Sequence, residues 1–359
     1  MFKPVFTITP AITRALMQIE ATRQAIVDLP IDVAMLKSLR ETAKLAATHY
    51  STQIEGNRLT LPQVREALAG AHFPERERDE TEVKNHFKAL EAMETLAQKS
   101  DPLTEDHIKW LHGLVMTGRT KGSPYRRDQN VIRESSTGRI VYLPPEAKDV
   151  AALMKDLVRW ITAGIADADL PAPIIAGIAH YQFATIHPYL DGNGRTARLL
   201  ATLILHKAGY GLKGIYSLDE HYARNLSAYY KALTVGPGHN YYDGRTDAEI
   251  TPFVAYFCAG MSDAFGKVRA AATRAASQGG TDDAAMLRDL DPRQRKLLPL
   301  FRDQGSLTTA DMAEHLKLAP RTMVGLAREW IASGFLDYQS SARKNRSYRL
   351  GGRFLALIR

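Results

Sequence analysis

The chain has 359 residues, of which 45% are hydrophobic, so it is long enough for two or three domains with sizeable cores and is not disordered. Its single cysteine, Cys258, excludes an intrachain disulfide and favours a reducing compartment. Residues 1–10 lack a basic stretch followed by an apolar one, and the longest strongly apolar run, 199–205, is far below the roughly 18 residues that a membrane span needs. We therefore expect a cytoplasmic protein that makes no use of a membrane.

Helical periodicity dominates the chain up to residue 276 and predicts a mainly α architecture. Apolar residues recur at helical spacing in the segments 11–29, 32–55, 61–69, 81–97, 105–117, 146–162, 172–186, 195–208 and 251–276. Small and polar residues follow, and they predict a linker at 277–292.

One β-leaning stretch interrupts these helices. Residues 129–132 and 140–143 are rich in β-branched and aromatic side chains, and they flank a polar turn at 134–139. This pattern predicts a β-hairpin that ends at Pro144 and Pro145.

The C-terminal segment is basic. Residues 293–359 hold 13 Lys and Arg against 5 Asp and Glu, so they carry the whole formal net charge of +8. Helices are predicted at 293–303, 310–316 and 320–333, and strands at 334–338 and 347–350. This order resembles a winged helix-turn-helix domain, a small α+β fold.

Two functions are open for this basic domain. If it binds DNA, the contacts would come from the helix at 320–333 and from the wing, at Arg321, Arg328, Arg343, Lys344 and Arg346. Because few base-reading side chains lie on that helix, docking of a protein or of a second copy is the alternative.

A dense group of polar side chains lies within residues 187–198. It contains a histidine, a carboxylate, a glycine-rich turn and two arginines, namely His187, Asp191, Gly192, Asn193, Gly194, Arg195 and Arg198. The turn and the N-terminus of the next helix favour an anion, and arginines three positions apart share a helical face that can bind phosphate. The carboxylate suits Mg²⁺ and the histidine can accept a proton. The segment therefore predicts chemistry on a nucleotide triphosphate.

This segment resembles the signature of the Fic family, His-Pro-Phe-x-Asp/Glu-Gly-Asn-Gly-Arg-x-x-Arg, with Tyr189 at the usual phenylalanine position. The resemblance implies a Fic-type helical bundle at 101–276 that transfers AMP from ATP, with Mg²⁺, to a Ser, Thr or Tyr hydroxyl of a protein target, including the enzyme itself. His187 would be the base, Asp191 the metal ligand, and the turn and both arginines the nucleotide-binding groups. The family precedent also favours a homodimer.

A second resemblance lies upstream, in an N-terminal helical region at 1–100. Residues 51–57 are similar to the inhibitory motif of some Fic proteins, with Ser51 and Glu55 on one helical face. A Glu55 carboxylate paired with Arg198 would occupy the guanidinium that the γ-phosphate needs. The alternative is that Glu55 is an ordinary surface residue near a helix end.

The family also suggests a role for the hairpin and for residues 224–233. An equivalent flap holds the target by strand addition, which here would use Ile140, Val141 and Tyr142; a hairpin of no special role is the alternative. Asn225 and Tyr229 match the helix that contacts the nucleotide, although packing in the core would equally explain the tyrosine.

Two competing functions complete the expectations. The protein could be a nucleotide-sensing regulator that binds DNA, in which case ATP would bind without transfer. Alternatively, it could be a Fic enzyme that uses another nucleotide donor or removes AMP, since the motif does not separate these reactions.

Overall fold

The structure is a computed structural model that describes residues 2–28, 33–133, 137–236, 238–278, 287, 290–340 and 346–358. It divides into two compact units, Met1–Ala272 and Thr273–Arg359. The first unit takes in both the predicted N-terminal region and the predicted catalytic region. Among the residues described, no helix combines the length and apolar character that crossing a membrane requires.

The first unit is mainly α-helical, as the periodicity predicts. Its α-helices are α1 (Pro10–Asp28), α2 (Val33–Ile54), α3 (Leu61–Leu68), α4 (Glu77–Ala97), α5 (Glu105–Thr117), α6 (Ala147–Asp167), α7 (Ala172–Ile186), α8 (Asn193–Lys207), α9 (Asp219–Arg224), α10 (Leu226–Leu233) and the part up to Ala272 of α11 (Thr251–Gln278). All nine predicted helical segments are confirmed, with ends that differ by at most five residues. Because α11 continues to Gln278, it includes the first two residues of the predicted linker, whose residues 279–286 and 288–289 lie outside the described part.

Helix α7 lies at the centre of this unit. Most of its residues are apolar, and Ile174, Ile178 and Phe183 are fully buried, as expected of a helix surrounded by other helices. A Cβ on Gly177 would lie 3.1 Å from the ring of Phe257, so this glycine allows α11 to approach closely. The chain leaves α7 at His187 and enters α8 at Asn193, which places the polar segment in a short connection between two core helices.

The predicted hairpin is present, although its first strand begins three residues later and ends one residue later than the pattern indicates. Strand β1 (Ile132–Arg133) pairs antiparallel with β2 (Ile140–Tyr142). Tyr142 is buried, and its hydroxyl donates a hydrogen bond to the carbonyl of Thr185 at the end of α7 (2.9 Å). This bond ties the base of the hairpin to the segment that ends in His187, while residues 134–136 of the predicted turn lie outside the described part.

The second unit has its own core. Its helices are α12 (Pro292–Gln304), α13 (Thr309–Leu316) and α14 (Pro320–Ala332), and its sheet has the order β3 (Leu307–Thr308), β5 (Ser347–Leu350), β4 (Leu336–Ser340). Leu297, Phe301, Trp330 and Phe335 are buried between these elements. Arg321, Arg328 and Arg346 are exposed, whereas Arg343 and Lys344 of the predicted wing lie outside the described residues.

Candidate active site

The connection between α7 and α8 is shaped by two residues in the left-handed backbone region. His187, with φ 51°, ends α7, and Gly192, with φ 76°, precedes α8. A Cβ on Gly192 would lie 2.5 Å from Sδ of Met116, so both the backbone angle and the space require glycine there. The loop is therefore held against α5 as well as between its own two helices.

Asn193 stabilises this loop from within. Its side chain is buried, its Oδ1 accepts a hydrogen bond from the amide of Tyr189 (2.9 Å), and its Nδ2 donates one to the carbonyl of Tyr189 (2.8 Å). We predicted Asn193 as a nucleotide-binding residue. The structure instead commits both polar ends of its side chain to the loop, which leaves the backbone amide as its contribution to a ligand.

The imidazole of His187 is held in one tautomer. Its Nδ1 lies 3.3 Å from the carbonyl oxygen of Ala184. Because a carbonyl only accepts, Nδ1 carries the proton and Nε2 presents a lone pair. Burial lowers the pKa of His187 to about 4, so the ring is neutral near pH 7. His187 is thus prepared to accept a proton at Nε2.

Arg126 connects the two sides of the site and was missed in the sequence. Its buried guanidinium donates to the carbonyl of His187 (2.9 Å) and to the carbonyl of Pro145 beyond the hairpin. Its backbone amide donates to the carbonyl of Pro188 (2.9 Å). No local pattern distinguishes Arg126 from the exposed Arg127 beside it, since its partners lie far along the chain.

His112 supports the loop from α5 and was also missed. Its ring stacks on Tyr189 with centroids 3.5 Å apart, and its Nε2 donates to the carbonyl of Asp191 (2.9 Å). Burial lowers the pKa of His112 to about 4, so it remains neutral. The aromatic ring at position 189 therefore serves as an anchor for the loop.

Asp191 is the most accessible charged group of the loop, with 57% of its side chain exposed. Its Oδ1 accepts a hydrogen bond from the amide of Gly192 (2.5 Å) and lies 3.5 Å from the guanidinium of Arg195. Among the described residues, no group of three or more His, Cys, Asp and Glu side chains could hold a metal ion. A single carboxylate still fits Mg²⁺ that takes its remaining ligands from water and substrate phosphates.

Arg195 and Arg198, which we predicted to bind phosphate together, contact different partners in the structure. Arg195 is 2% exposed, and its guanidinium lies 3.1 Å from Glu82 on α4 as an ion pair that lacks hydrogen-bond geometry. It is therefore committed to α4 and to Asp191 beneath the loop. Only Arg198 is directed toward the N-terminus of α8, where NH1 lies 3.1 Å from the position that a Cβ on Gly194 would take.

Arg198 is buried and surrounded by acceptors. Its NH2 donates to the carbonyl of Ser51 (2.8 Å) and to Oε1 of Glu55 (2.9 Å), and its Nε donates to Oγ of Ser51 (3.0 Å). On another side, Nε lies 3.1 Å from Oδ1 of Asp219, which gives a further ion pair. Burial opposes its charge, yet Glu55, Tyr229 and Asp219 raise the pKa of Arg198 above its usual range, so it stays cationic.

Glu55 also reaches the backbone of α8. A Cβ on Gly194 would lie only 2.3 Å from Oε1 of Glu55, so the carboxylate sits directly over this glycine. The first amides of α8, at Asn193, Gly194 and Arg195, form what we call the amide cradle, since the first N–H groups of a helix lack helical partners and attract anions. The Glu55 carboxylate lies at this cradle.

The two predicted contacts to a base occupy different surroundings. Asn225 is exposed, and its Oδ1 caps α10 by accepting from the amide of Ala228 (3.0 Å). Tyr229 is 2% exposed, stacks on Tyr222 and meets Nε2 of His180 through its hydroxyl (2.9 Å). The prediction that Tyr229 stacks on a nucleotide is therefore not supported, because its ring is packed in the core.

The hairpin presents its three predicted residues in different ways. Ile140 is 46% exposed, Val141 is half-buried and Tyr142 is buried. On the outer edge of β2, the carbonyl of Val141 accepts from Nδ1 of His239 (3.1 Å). The exposed end of the strand is thus at Ile140.

Comparison with known proteins agrees with this geometry. Residues 102–205 match the model of the Fic/DOC family. The chain contains a Fic domain. Outside this domain, yet in contact with it, lie Ser51, Glu55, Glu82 and Asp219.

Relatives with a Fic domain resemble the chain over different lengths. It is 30% identical over 206 residues to a Drosophila erecta protein named protein adenylyltransferase Fic; the alignment covers 55% of this chain but only 39% of that protein. Among solved structures, a Fic family protein from Desulfovibrio desulfuricans G20 has a TM-score of 0.59 and 25% identity, covering 98% of this chain and 99% of that chain. A Fic domain signaling protein from Bacteroides thetaiotaomicron has a TM-score of 0.60 and 27% identity, covering 75% and 97%.

Proposed function

We propose that the chain is an autoinhibited protein adenylyltransferase, which transfers AMP from ATP to a Ser, Thr or Tyr hydroxyl of a protein target, itself included. The observation that carries the proposal is the position of Glu55, whose carboxylate lies 2.9 Å from Arg198 and directly over Gly194. A triphosphate needs the same guanidinium and the same amides. The resemblance to relatives named protein adenylyltransferase supports AMP as the transferred group.

His187 is the proposed base. Its Nε2 accepts the proton of the target hydroxyl, and the oxygen attacks the α-phosphorus of ATP. The bond from the α-phosphorus to the bridging oxygen of pyrophosphate breaks, and pyrophosphate leaves with the bonding electrons. The hydrogen bond from Nδ1 to Ala184 keeps the ring in the tautomer that this step requires and supports the imidazolium that forms.

Groups of α8 are proposed to stabilise the negative charge of the triphosphate. The amide cradle and Arg198 donate to the phosphates in a partly buried site, where such donors are stronger than in water. Mg²⁺ bound with the triphosphate would neutralise phosphate charge, and Asp191 is the exposed carboxylate that fits it. Arg195 positions Asp191 rather than reaching the nucleotide itself.

Inhibition follows from competition for Arg198. A hydrogen bond to a charged group contributes about 1.5 to 3 kcal/mol, so loss of the Glu55 contact should raise transfer by about 10- to 100-fold. With Glu55 in place, a triphosphate meets an occupied guanidinium and a carboxylate over the amide cradle. ATP would then bind with its γ-phosphate displaced.

The target is proposed to bind at the hairpin. Antiparallel addition to β2 uses backbone groups and so accepts many sequences. Because His239 covers the outer edge at Val141, the target strand would pair at the exposed end near Ile140. Arg126 keeps this strand and His187 in fixed relation, since it bonds both sides of the site.

The test supplies Glu55→Gly with ATP labelled at either the α- or the γ-phosphate, and then with UTP or CTP labelled at the α-phosphate. We expect protein labelling from α-labelled ATP alone. Labelling from γ-labelled ATP would indicate a kinase, and stronger labelling from UTP or CTP would indicate a different donor. Release of AMP from labelled protein, measured after removal of ATP, separates transfer from the reverse activity.

A further inference from the structure

Two carboxylates share Arg198, and only one of them belongs to the proposed inhibitory motif. Glu55 contacts NH2, whereas Asp219 lies 3.1 Å from Nε. The Nε–H itself points to Oγ of Ser51, so Asp219 acts through charge rather than as a hydrogen-bond acceptor. The guanidinium is thus held at two different edges by acids from two different segments, one directly after α2 and one at the start of α9.

The two acids are anchored very differently. Glu55 follows the end of α2, and 28% of its side chain is exposed. Asp219 is 7% exposed and begins α9 between Leu218 and Tyr222, which are both core residues. Its Oδ2 also accepts from Oγ of Ser217 (3.4 Å). Because α9 packs against α2, a displacement confined to residue 55, which follows the end of α2, would remove Glu55 and leave Asp219 in place.

We propose that Asp219 is a positioning residue for Arg198, which holds the Nε edge of the guanidinium after Glu55 has left and keeps NH1 and NH2 directed at the γ-phosphate of ATP. This inference rests on the proposed function. A buried arginine without a counter-ion is unfavourable, so without Asp219 the freed guanidinium would lose its direction or draw water into the core.

Nucleotide binding tests the inference without requiring transfer. All proteins carry His187→Ala, so that ATP is not consumed, and Glu55→Gly, so that Arg198 is free. Adding Asp219→Asn should weaken ATP binding by about 10- to 100-fold, the loss expected for one misdirected contact to a charged group, and leave ADP binding within about two-fold. The matched control is Glu220→Gln, which removes the neighbouring acid of α9, paired with the surface residue Arg224.

Comparing ATP with ADP distinguishes a lost contact to the γ-phosphate from general damage to the nucleotide site, because ADP lacks that phosphate. Equal losses for ATP and ADP, or unchanged ATP binding, would overturn the inference. Absence of AMP transfer by a separate Glu55→Gly protein with His187 intact would instead count against the proposed function, whatever the binding result. The two failures are therefore distinguishable.

Thermal unfolding gives a second test, which can also be applied to variants that are too unstable for binding measurements. In a cycle of the parent, Glu55→Gly, Asp219→Asn and the double variant, we expect the double variant to lose more than the sum of the single losses, by more than about 3 °C. Failure of the double variant alone to fold is the extreme form of that result. Additive losses of melting temperature would contradict the inference, because they would show that Glu55 and Asp219 do not share Arg198 as a partner.

Discussion

The catalytic loop at residues 187–198 and the end of α2 both reach Arg198, yet they are built in opposite ways. The loop is short in sequence, and its backbone carbonyls accept hydrogen bonds from His112 of α5 and from Arg126. The end of α2 reaches Arg198 across 143 residues of sequence, through Ser51 and a half-buried Glu55. The groups for catalysis are therefore held by hydrogen bonds from elements beside the loop, while the restraint depends on the contacts that Ser51 and Glu55 make with Arg198.

The largest expected effect is on the loop. His187→Ala in the Glu55→Gly background should lower AMP transfer by about 100- to 10,000-fold, because the hydroxyl loses its base, while ATP affinity stays within a few-fold. Initial rates of labelling and equilibrium binding of ATP measure the two quantities. The control is His72→Ala, an exposed histidine that lies outside the site and should leave both unchanged. Retained transfer would mean that another group accepts the proton.

A moderate effect on AMP transfer is expected from a change at the end of α2. Ser51→Ala in the parent should raise transfer by about 3- to 10-fold, since it removes the Oγ contact to Arg198 but leaves the carbonyl contact and Glu55. The control is Thr52→Ala, whose buried hydroxyl bonds only within α2. If both variants behave alike, helix stability rather than the contact to Arg198 sets the restraint.

The smallest effect is expected with pH. Because burial lowers the pKa of His187 to about 4, its Nε2 remains unprotonated throughout the neutral range. The kcat/KM of Glu55→Gly should therefore change less than about two-fold between pH 6 and 8, and fall only as the pH approaches 4. A midpoint near the ordinary histidine value of about 6.5 would show that the ring is solvated when the nucleotide is absent.

The same comparison explains which parts of the fold and of the site could be predicted from the sequence. Helix periodicity and the glycine-rich turn are local, so the helices, the hairpin and the 187–198 loop were predictable from neighbouring residues. The contact between Glu55 and Arg198 was predicted from a family resemblance, and the structure brings the two groups to 2.9 Å. Their roles in restraint remain a proposal.

The supporting residues were not predictable because their partners are distant in sequence. Arg126, His112 and Asp219 have no local pattern that sets them apart, although Arg126 and His112 hydrogen-bond to the loop and Asp219 forms an ion pair with Arg198. The pairing of Arg195 with Glu82 on α4 was not predictable for the same reason, and the joint role of Arg195 and Arg198 in binding phosphate stays a prediction. Tyr229 likewise joined an aromatic cluster made by three other helices, with Tyr222, His180 and Phe253.

The most direct test of the account compares the parent, Glu55→Gly and Gln53→Gly for transfer from α-labelled ATP with Mg²⁺. Gln53 is exposed on the same last turn of α2, so its glycine variant loosens the helix end without touching Arg198. We predict a rise in labelling of about 10- to 100-fold for Glu55→Gly and little change for Gln53→Gly. Equal labelling by all three proteins would contradict the claim that the Glu55 carboxylate restrains AMP transfer by holding Arg198.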